Sequence, residues 1–177
     1  MSKTPLRRLQ LAGGLAAVGT GLALVGSVAA PALAASTGST IANASVNSTI
    51  TLSGLTPSFT MAGDPSTTVT APSAVAMTVT TNNLTGYTVS VQAAATTMAP
   101  VTAGNTDSIP IANLKVKETG SAGGYTSLSA TTPVTVHSQA LRSLSTSDPI
   151  ANDFQLAIPF VNSDTYRVTL NYVAAAQ

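Results

Sequence analysis

His137 is the only histidine in the chain, so it decides whether histidine-based catalysis is available. A serine hydrolase would need it beside one of many serines and one of five aspartates, a combination too common here to carry information. The sequence also lacks a GxSxG nucleophile elbow. His137 follows Val134 and Val136 at the alternate position of a predicted strand, which predicts an outward, solvated side chain.

The carboxylates are the other candidates for acid–base chemistry. Glycoside hydrolysis uses two carboxyl groups, one of them with a raised pKa. The chain has no tryptophan to stack on a sugar, and its acids occur mostly in turn sequences: Asp64, Asp107, Glu118, Asp148, Asp153 and Asp164. We therefore predict no catalytic residue, no cofactor-binding residue and no cofactor, and we expect the protein not to be an enzyme.

Oxygen ligands of the kind that calcium prefers are concentrated in "SDPIAND" and "VNSD". These segments supply Asp148, Asn152, Asp153, Asn162 and Asp164. Their spacing is not that of an EF-hand loop, and aspartate and asparagine are common in turns. We predict no metal site, and we leave open only whether Asp148, Asp153 and Asp164 bind calcium.

Lys115 and Lys117 flank Val116 and precede Glu118, which raises the possibility of a lysine–asparagine isopeptide crosslink. That reaction needs a buried lysine. Because Leu114 and Val116 are the apolar partners, both lysines are predicted to face solvent and to protect a strand edge.

Two tyrosines, Tyr87 in "TNNLTGYTVSV" and Tyr166 in "NSDTYRVTL", each follow a turn and open an alternating segment. They share the parity of the apolar residues that follow them. This parity favours a ring packed at the edge of the core, with its hydroxyl bonded to a loop, over an exposed platform for a ligand.

The elements that must position these residues are short strands. Apolar residues alternate with polar ones in seven segments, with an eighth if "GYTSLS" contributes: "SVNSTITL", "AVAMTVT", "YTVSV", "IPIANLKVKET", "PVTVHS", "FQLAIPF" and "YRVTLNY". The inward residues include Val46 at the start and Phe160 near the end. Turn sequences separate the segments, and no helical period is sustained after residue 35. The sequence predicts an all-β fold, an antiparallel immunoglobulin-like β-sandwich of seven to eight strands.

Two hairpins are predicted from similar sequences. One runs from Val79 through "TTNNLTG" to Tyr87, and the other from Phe160 through "VNSDT" to Tyr166. Pro159 cannot donate a ladder hydrogen bond, so its strand is predicted to be an edge strand or to be bulged there.

Residues 1–35 differ from the rest. Lys3, Arg7 and Arg8 precede an apolar run that ends in small residues, and Ala32 and Ala34 form an A-x-A site, so we predict a secretory signal peptide cleaved after Ala34 or Ala35. An uncleaved anchor is the alternative, and the sequence does not decide between Sec and twin-arginine export. Residues 36–177 are then a single β-sandwich domain, secreted and either extracellular or associated with the cell wall.

Residues 36–177 contain four basic and six acidic residues, a formal net charge of −2. Without a basic patch, neither nucleic acid nor an anionic membrane is an expected partner. The chain has no cysteine, so its stability must come from the core of the domain.

The C-terminal segment "YRVTLNYVAAAQ" resembles the distal motif of the WxL family of Gram-positive surface proteins. Tyr166, Leu170, Asn171 and Tyr172 occupy the motif positions, with Tyr172 standing where the family has tryptophan. The resemblance covers about seven residues. It implies a secreted β-rich module held non-covalently to peptidoglycan.

The expected function is that of a non-enzymatic exported module with a structural, adhesion or assembly role at the cell surface or wall of a Gram-positive bacterium. A cell-wall polymer, or self-association by strand addition, would supply the partner, and the processed chain would not span the membrane. The alternative is a secreted ligand-binding or inhibitor domain that recognises a protein or glycan through loops such as "TTMAPVTAGNTDS" and "ETGSAGGYTS".

Overall fold

The computed structural model describes residues 36–177, so the predicted signal peptide at residues 1–35 lies outside the described residues. Residues 36–43 are exposed and without regular structure. Ala44–Gln177 form one compact unit. In chain order its strands are β1 (Ile50–Ser53), β2 (Thr68–Thr81), β3 (Tyr87–Ala93), β4 (Thr97–Pro100), β5 (Ile109–Pro110), β6 (Leu114–Glu118), β7 (Thr126–Ser127), β8 (Val134–Gln139), β9 (Asp148–Ala157), β10 (Tyr166–Arg167) and β11 (Leu170–Ala176).

These strands form three antiparallel sheets. The first has five strands in the order β1-β2-β9-β6-β7, and the others have the orders β11-β3-β8 and β10-β4-β5. A 3-10 turn at Ile111–Asn113 joins β5 to β6. The fold is all-β, as the alternating sequence predicts, and its antiparallel sheets are consistent with a β-sandwich.

The core lies on the inward faces of the longest strands. β3 alternates perfectly between buried and half-buried residues, and Tyr87, Val89 and Val91 are fully buried. Phe154 of β9 is also fully buried and packs on Phe59, with ring centroids 4.6 Å apart. Each large side chain removed from water contributes about 2 kcal/mol, so this apolar layer is the main source of stability in a chain without cysteine.

Three details of the predicted strands are wrong. Val46 is 82% exposed and Phe160 is 88% exposed, because β1 begins only at Ile50 and β9 ends at Ala157. The segment 96–108, expected to be a loop, contains β4, which pairs with both β10 and β5. The eighth candidate segment does contribute a strand, the two-residue β7.

Neither predicted hairpin exists. β2 and β3 belong to different sheets, so residues 82–86 carry the chain from one sheet to the other. β10 pairs with β4 and not with β9. Turn chemistry alone does not distinguish a hairpin from a connection between sheets, because both need residues that accept unusual backbone angles.

Pro159 lies beyond the end of β9, and β9 is a central strand, so the edge or bulge predicted at this proline is wrong. The chain avoids the missing donor by ending the strand before Pro159. The irregularity in this pair of strands lies in β2 instead, where the register shifts between Ala71 and Val75 and Ser73 has a positive φ of 48°.

Among residues 36–177 there is no helix long and apolar enough to cross a membrane.

Candidate functional site

The described part of the chain contains an open cavity of about 1280 Å³ that is lined by both apolar and polar residues. The irregular segment 55–65 lines one side of it and residues 161–170 line another. Its inner wall includes Val75, Leu114 and Leu156, which belong to the core. Because the segment 55–65 donates only one backbone hydrogen bond to the sheet, from Thr56 to Ala76, it covers the core without completing the sheet.

Tyr172 is one of several polar residues in this cavity wall, which also include Asp164 and Arg167. Its hydroxyl is buried and has no hydrogen-bond partner within the described residues. Burial raises the pKa of Tyr172, so the phenol stays protonated. A cavity lined by apolar side chains and by polar groups such as that of Arg167 is suited to a ligand with both apolar and acceptor groups.

A polar network at the mouth of the cavity is built around Asp164. Its carboxylate accepts hydrogen bonds from Asn105 Nδ2 at 2.8 Å and from Thr102 Oγ1 at 2.9 Å. The Tyr166 hydroxyl donates to the Asn162 carbonyl at 2.9 Å and receives a bond from Asn105 at 3.2 Å. The network fixes the loop after β4 against the turn before β10.

The same network lowers the pKa of Asp164 to about 2, first because Asn105 donates to its carboxylate and then because Thr102 and Thr165 also donate. Hydrogen bonds to the charged form stabilise it. The carboxylate therefore stays ionised at neutral pH, where it holds the loop and is a poor proton donor.

Tyr87 is fixed in the way that the brace interpretation predicts. Its ring is fully buried, and its hydroxyl donates to Asp148 Oδ2 at 2.8 Å. Burial, followed by the hydrogen bond to Asp148, raises the pKa of Tyr87. The other oxygen of Asp148 accepts the backbone N–H of Leu144 at 3.1 Å, so one carboxylate links β3, β9 and the loop between β8 and β9.

The sequence predicted a solvated side chain for His137. In the structure this side chain turns inward instead. Val89 pairs with His137 and Ser90 pairs with Thr135, so Val136 is an extra residue that makes a β-bulge in β8. The bulge places both Val136 and His137 on the inner face, and the His137 ring lies 5.5 Å from that of Tyr87. A period-two pattern cannot anticipate one extra residue, and this is why the parity argument failed.

The imidazole of His137 is paired with Glu118, with Nδ1 2.6 Å from Oε1. The other ring nitrogen, Nε2, is buried without a partner, and so is Oδ1 of the fully buried Asn152. Asn152 pairs with Glu118 across β9 and β6, so these groups belong to one polar region inside the fold.

The edge position predicted for the lysines is wrong, although both lie, as predicted, on the face opposite Leu114 and Val116. β6 lies between β9 and β7 and is not an edge strand, and both lysines are half-buried. Lys117 Nζ lies 3.8 Å from Asp153 Oδ2 and 5.2 Å from the ring centroid of Tyr125. Lys117 pairs with Asp153 and therefore shares its face, whereas Asn152 points to the opposite face, so a lysine–asparagine bond has no suitable geometry here.

Asp153 holds the bulge of β2. Its Oδ1 accepts the Thr119 hydroxyl at 2.6 Å and the backbone N–H of Ser73 at 2.8 Å. Thr119 and then Ser73 lower the pKa of Asp153, because both donate to its charged form. Sequence reasoning missed this role, since nothing local to "PIAND" shows that the carboxylate contacts a residue 80 positions away.

The five oxygen-bearing residues considered for calcium do not come together. Asp148 bonds Tyr87, Asp153 bonds Ser73 and Thr119, and Asn162 and Asp164 belong to the loop network. Within residues 36–177, no three His, Cys, Asp or Glu side chains are grouped as a metal site. Each of the three aspartates has a structural partner instead.

No family model matches the chain, and no curated protein matches it.

Proposed function

We propose that this chain is a non-enzymatic exported β-sandwich module of immunoglobulin-like type that acts at the cell surface or wall, with a structural, adhesion or assembly role. The observation that carries the proposal is the use of its ionisable side chains. Asp148, Asp153 and Asp164 each hold a loop or a bulge, and Glu118 is paired with His137. Polar groups arranged in this way make a rigid scaffold.

Export is part of the proposal and rests on residues 1–35 of the sequence. The setting that it suggests is the surface of a Gram-positive bacterium, which is also where the WxL-like C-terminal motif would act. In that motif Tyr172 stands at the tryptophan position, and in the fold it contributes to the cavity wall. The cavity is accordingly the place at which a wall polymer is proposed to bind.

Fractionation of the producing cells, combined with intact-mass measurement, tests this proposal. We expect a processed chain that begins near residue 36, recovered with the wall and released by a chaotrope without cleavage of a covalent bond. Binding to isolated walls would be compared for the unchanged protein, Tyr172→Phe and Tyr125→Phe. Tyr172→Phe should weaken binding because it removes the unpartnered hydroxyl, while Tyr125→Phe serves as the matched control. Accumulation of the unprocessed chain in the cytoplasm would contradict the proposal.

A second candidate function is a secreted domain that recognises a protein or glycan through its loops. The Asp164 network favours it, because residues 102–107 are fixed in one conformation before any partner arrives. Asp164→Ala should then weaken capture of a partner from the culture medium, while Asp64→Ala, a change at another turn, should leave it intact. Equal capture by all three proteins would exclude this loop as the recognition surface.

A further inference from the structure

β11 is an edge strand of its sheet. β11 pairs with β3 in unbroken register from Leu170 to Ala176, and no strand is hydrogen-bonded to its other side within the described residues, although β1 of the first sheet lies near β11. The other edge strands are shorter or irregular: β1 has four residues, β5, β7 and β10 have two each, and β8 carries a bulge. β11 is therefore the longest regular edge in the described part of the chain.

Hydrogen bonds at the two ends of β11 fix which of its backbone groups face outward. Ala94 donates to the Thr169 carbonyl at 2.9 Å, and Gln177 donates to the Gly86 carbonyl at 3.0 Å, so the odd-numbered residues direct their backbone groups toward β3. Alternation then directs the N–H and C=O groups of Leu170, Tyr172 and Ala174 to the opposite side. Within residues 36–177 these groups have no backbone partner on that side.

The sequence of this edge does not discourage pairing. "LNYVAAA" has no charge and no proline, and its register shows no bulge. Natural edge strands usually carry at least one of these protections. Leu170 and Tyr172 also line the cavity, so a strand added to this edge places alternate side chains against their apolar surface.

The chain itself contains a segment suited to this edge. Residues 36–46 are exposed and have no regular structure. Within them Ile41 is 85% exposed and Val46 is 82% exposed, which is unusual for large apolar side chains. The segment has no charge and no proline, and Ala42, Ala44 and Val46 would lie on one face of a strand.

We propose that residues 40–46 of one copy add as a strand to the free edge of β11 in a second copy. Backbone hydrogen bonds supply the affinity, and the small side chains on one face of the segment contact the cavity wall. A donor segment and an acceptor edge on the same molecule are different surfaces, so the contact is heterologous and produces a ring where the rotation closes and an open chain where it does not. This inference deepens the assembly role in the proposed function and rests on it.

The test uses the protein in the form in which it accumulates in the producing cells. Light scattering and analytical ultracentrifugation would compare the unchanged protein with two variants. Val46→Asp places a charge in the donor segment that strand addition would bury. Ala174→Pro removes an outward N–H from the acceptor strand. Leu144→Asp is the matched control, because Leu144 is another exposed apolar residue, 67% exposed, outside both surfaces. We expect association that grows with concentration, at least about tenfold weaker in Val46→Asp and Ala174→Pro and unchanged in Leu144→Asp.

A strictly monomeric protein at about 1 mM would overturn the inference, and so would association that Val46→Asp leaves unchanged. Because Val46 is exposed, its replacement does not threaten folding, so this variant decides the question even if Ala174→Pro fails to fold. A monomer that still binds isolated walls would remove strand addition and leave the proposed function standing. Loss of wall binding with retained association would contradict the proposed function and leave strand addition standing.

Discussion

At the scale of single residues, the molecule uses its few polar anchors to fix loops, and Tyr87 is the clearest case. Its ring is fully buried and its hydroxyl meets a carboxylate at 2.8 Å. A neutral hydrogen bond contributes about 1 kcal/mol, and a bond to a charged group about 2 kcal/mol.

Tyr87→Phe is expected to lower the free energy of unfolding by about 2 kcal/mol, because Asp148 loses a donor in a buried setting. Tyr166→Phe, at a half-buried tyrosine, should cost about 1 kcal/mol. Tyr125→Phe, whose hydroxyl takes part in no hydrogen bond among the described residues, is the control with no expected change. Urea unfolding of the three variants measures the difference, and equal stabilities for all three would contradict the assigned role of Tyr87.

Asp164 gives a prediction about acid. Its pKa in the folded protein is about 2, below the ordinary value of 3.8, so its contribution to stability is fully present above about pH 4 and is lost as the pH falls toward 2. Asp164→Asn should flatten the decline in stability between these pH values. Asp64→Asn is the control that leaves the slope unchanged. Thermal unfolding measured at several pH values is the test, and parallel curves for the Asp164 variant and the unchanged protein would rule the effect out.

At the scale of elements, the connection between β2 and β3 depends on Gly86. Its φ is 89°, and an added Cβ would lie 1.9 Å from the Gln139 carbonyl oxygen. Both the backbone conformation and the close approach of β8 therefore exclude a side chain.

Gly86→Ala is expected to destabilise the fold by about 3 kcal/mol, roughly 1 from the backbone conformation and 2 from the overlap. Gly120→Ala is the matched control, because its φ is also positive, at 78°, while the space around it is open. That change should cost only about 1 kcal/mol. Chemical denaturation of both variants gives the comparison, and similar losses would show that the contact with β8 does not matter.

The elements also show what the sequence could reveal. β3 was predictable because apolar and polar residues alternate in the sequence without interruption from Tyr87 to Ala93. The inward turn of His137 was not, because it depends on Val136, an extra residue that has no partner in β3. The role of Asp153 likewise depends on Ser73, which is distant in the chain. Periodicity identifies strands, whereas bulges and neighbours depend on long-range pairing that one local pattern does not contain.

At the scale of the whole molecule, pairing between distant segments dominates. Val69 of β2 pairs with Leu156 of β9, and Tyr87 of β3 pairs with Ala176 of β11. The pairing of β2 with β9 and the pairing of β3 with β11 therefore each close a loop that spans much of the chain. Closing such loops has an entropic cost before the contacts can compensate for it.

Refolding is accordingly expected to take milliseconds to seconds, the range typical of all-β domains with distant pairings. Stopped-flow measurement of tyrosine fluorescence after dilution from urea would give the rate. Because the chain has no cysteine, a reducing agent should change neither the rate nor the final signal, which provides the control. Completion within microseconds would mean that local contacts, and not these pairings, limit folding.

The bulge in β8 bears on how related chains should be aligned with this one. Every pair on either side of Val136 stays in register with β3 when that residue is left out, since Thr135 already faces Ser90 and His137 already faces Val89. Deletion of one residue inside a strand normally displaces all that follow. Deletion of Val136 would shorten β8 and preserve its pairing with β3. Length variation in relatives is therefore expected at this position inside a strand, and not only in the loops.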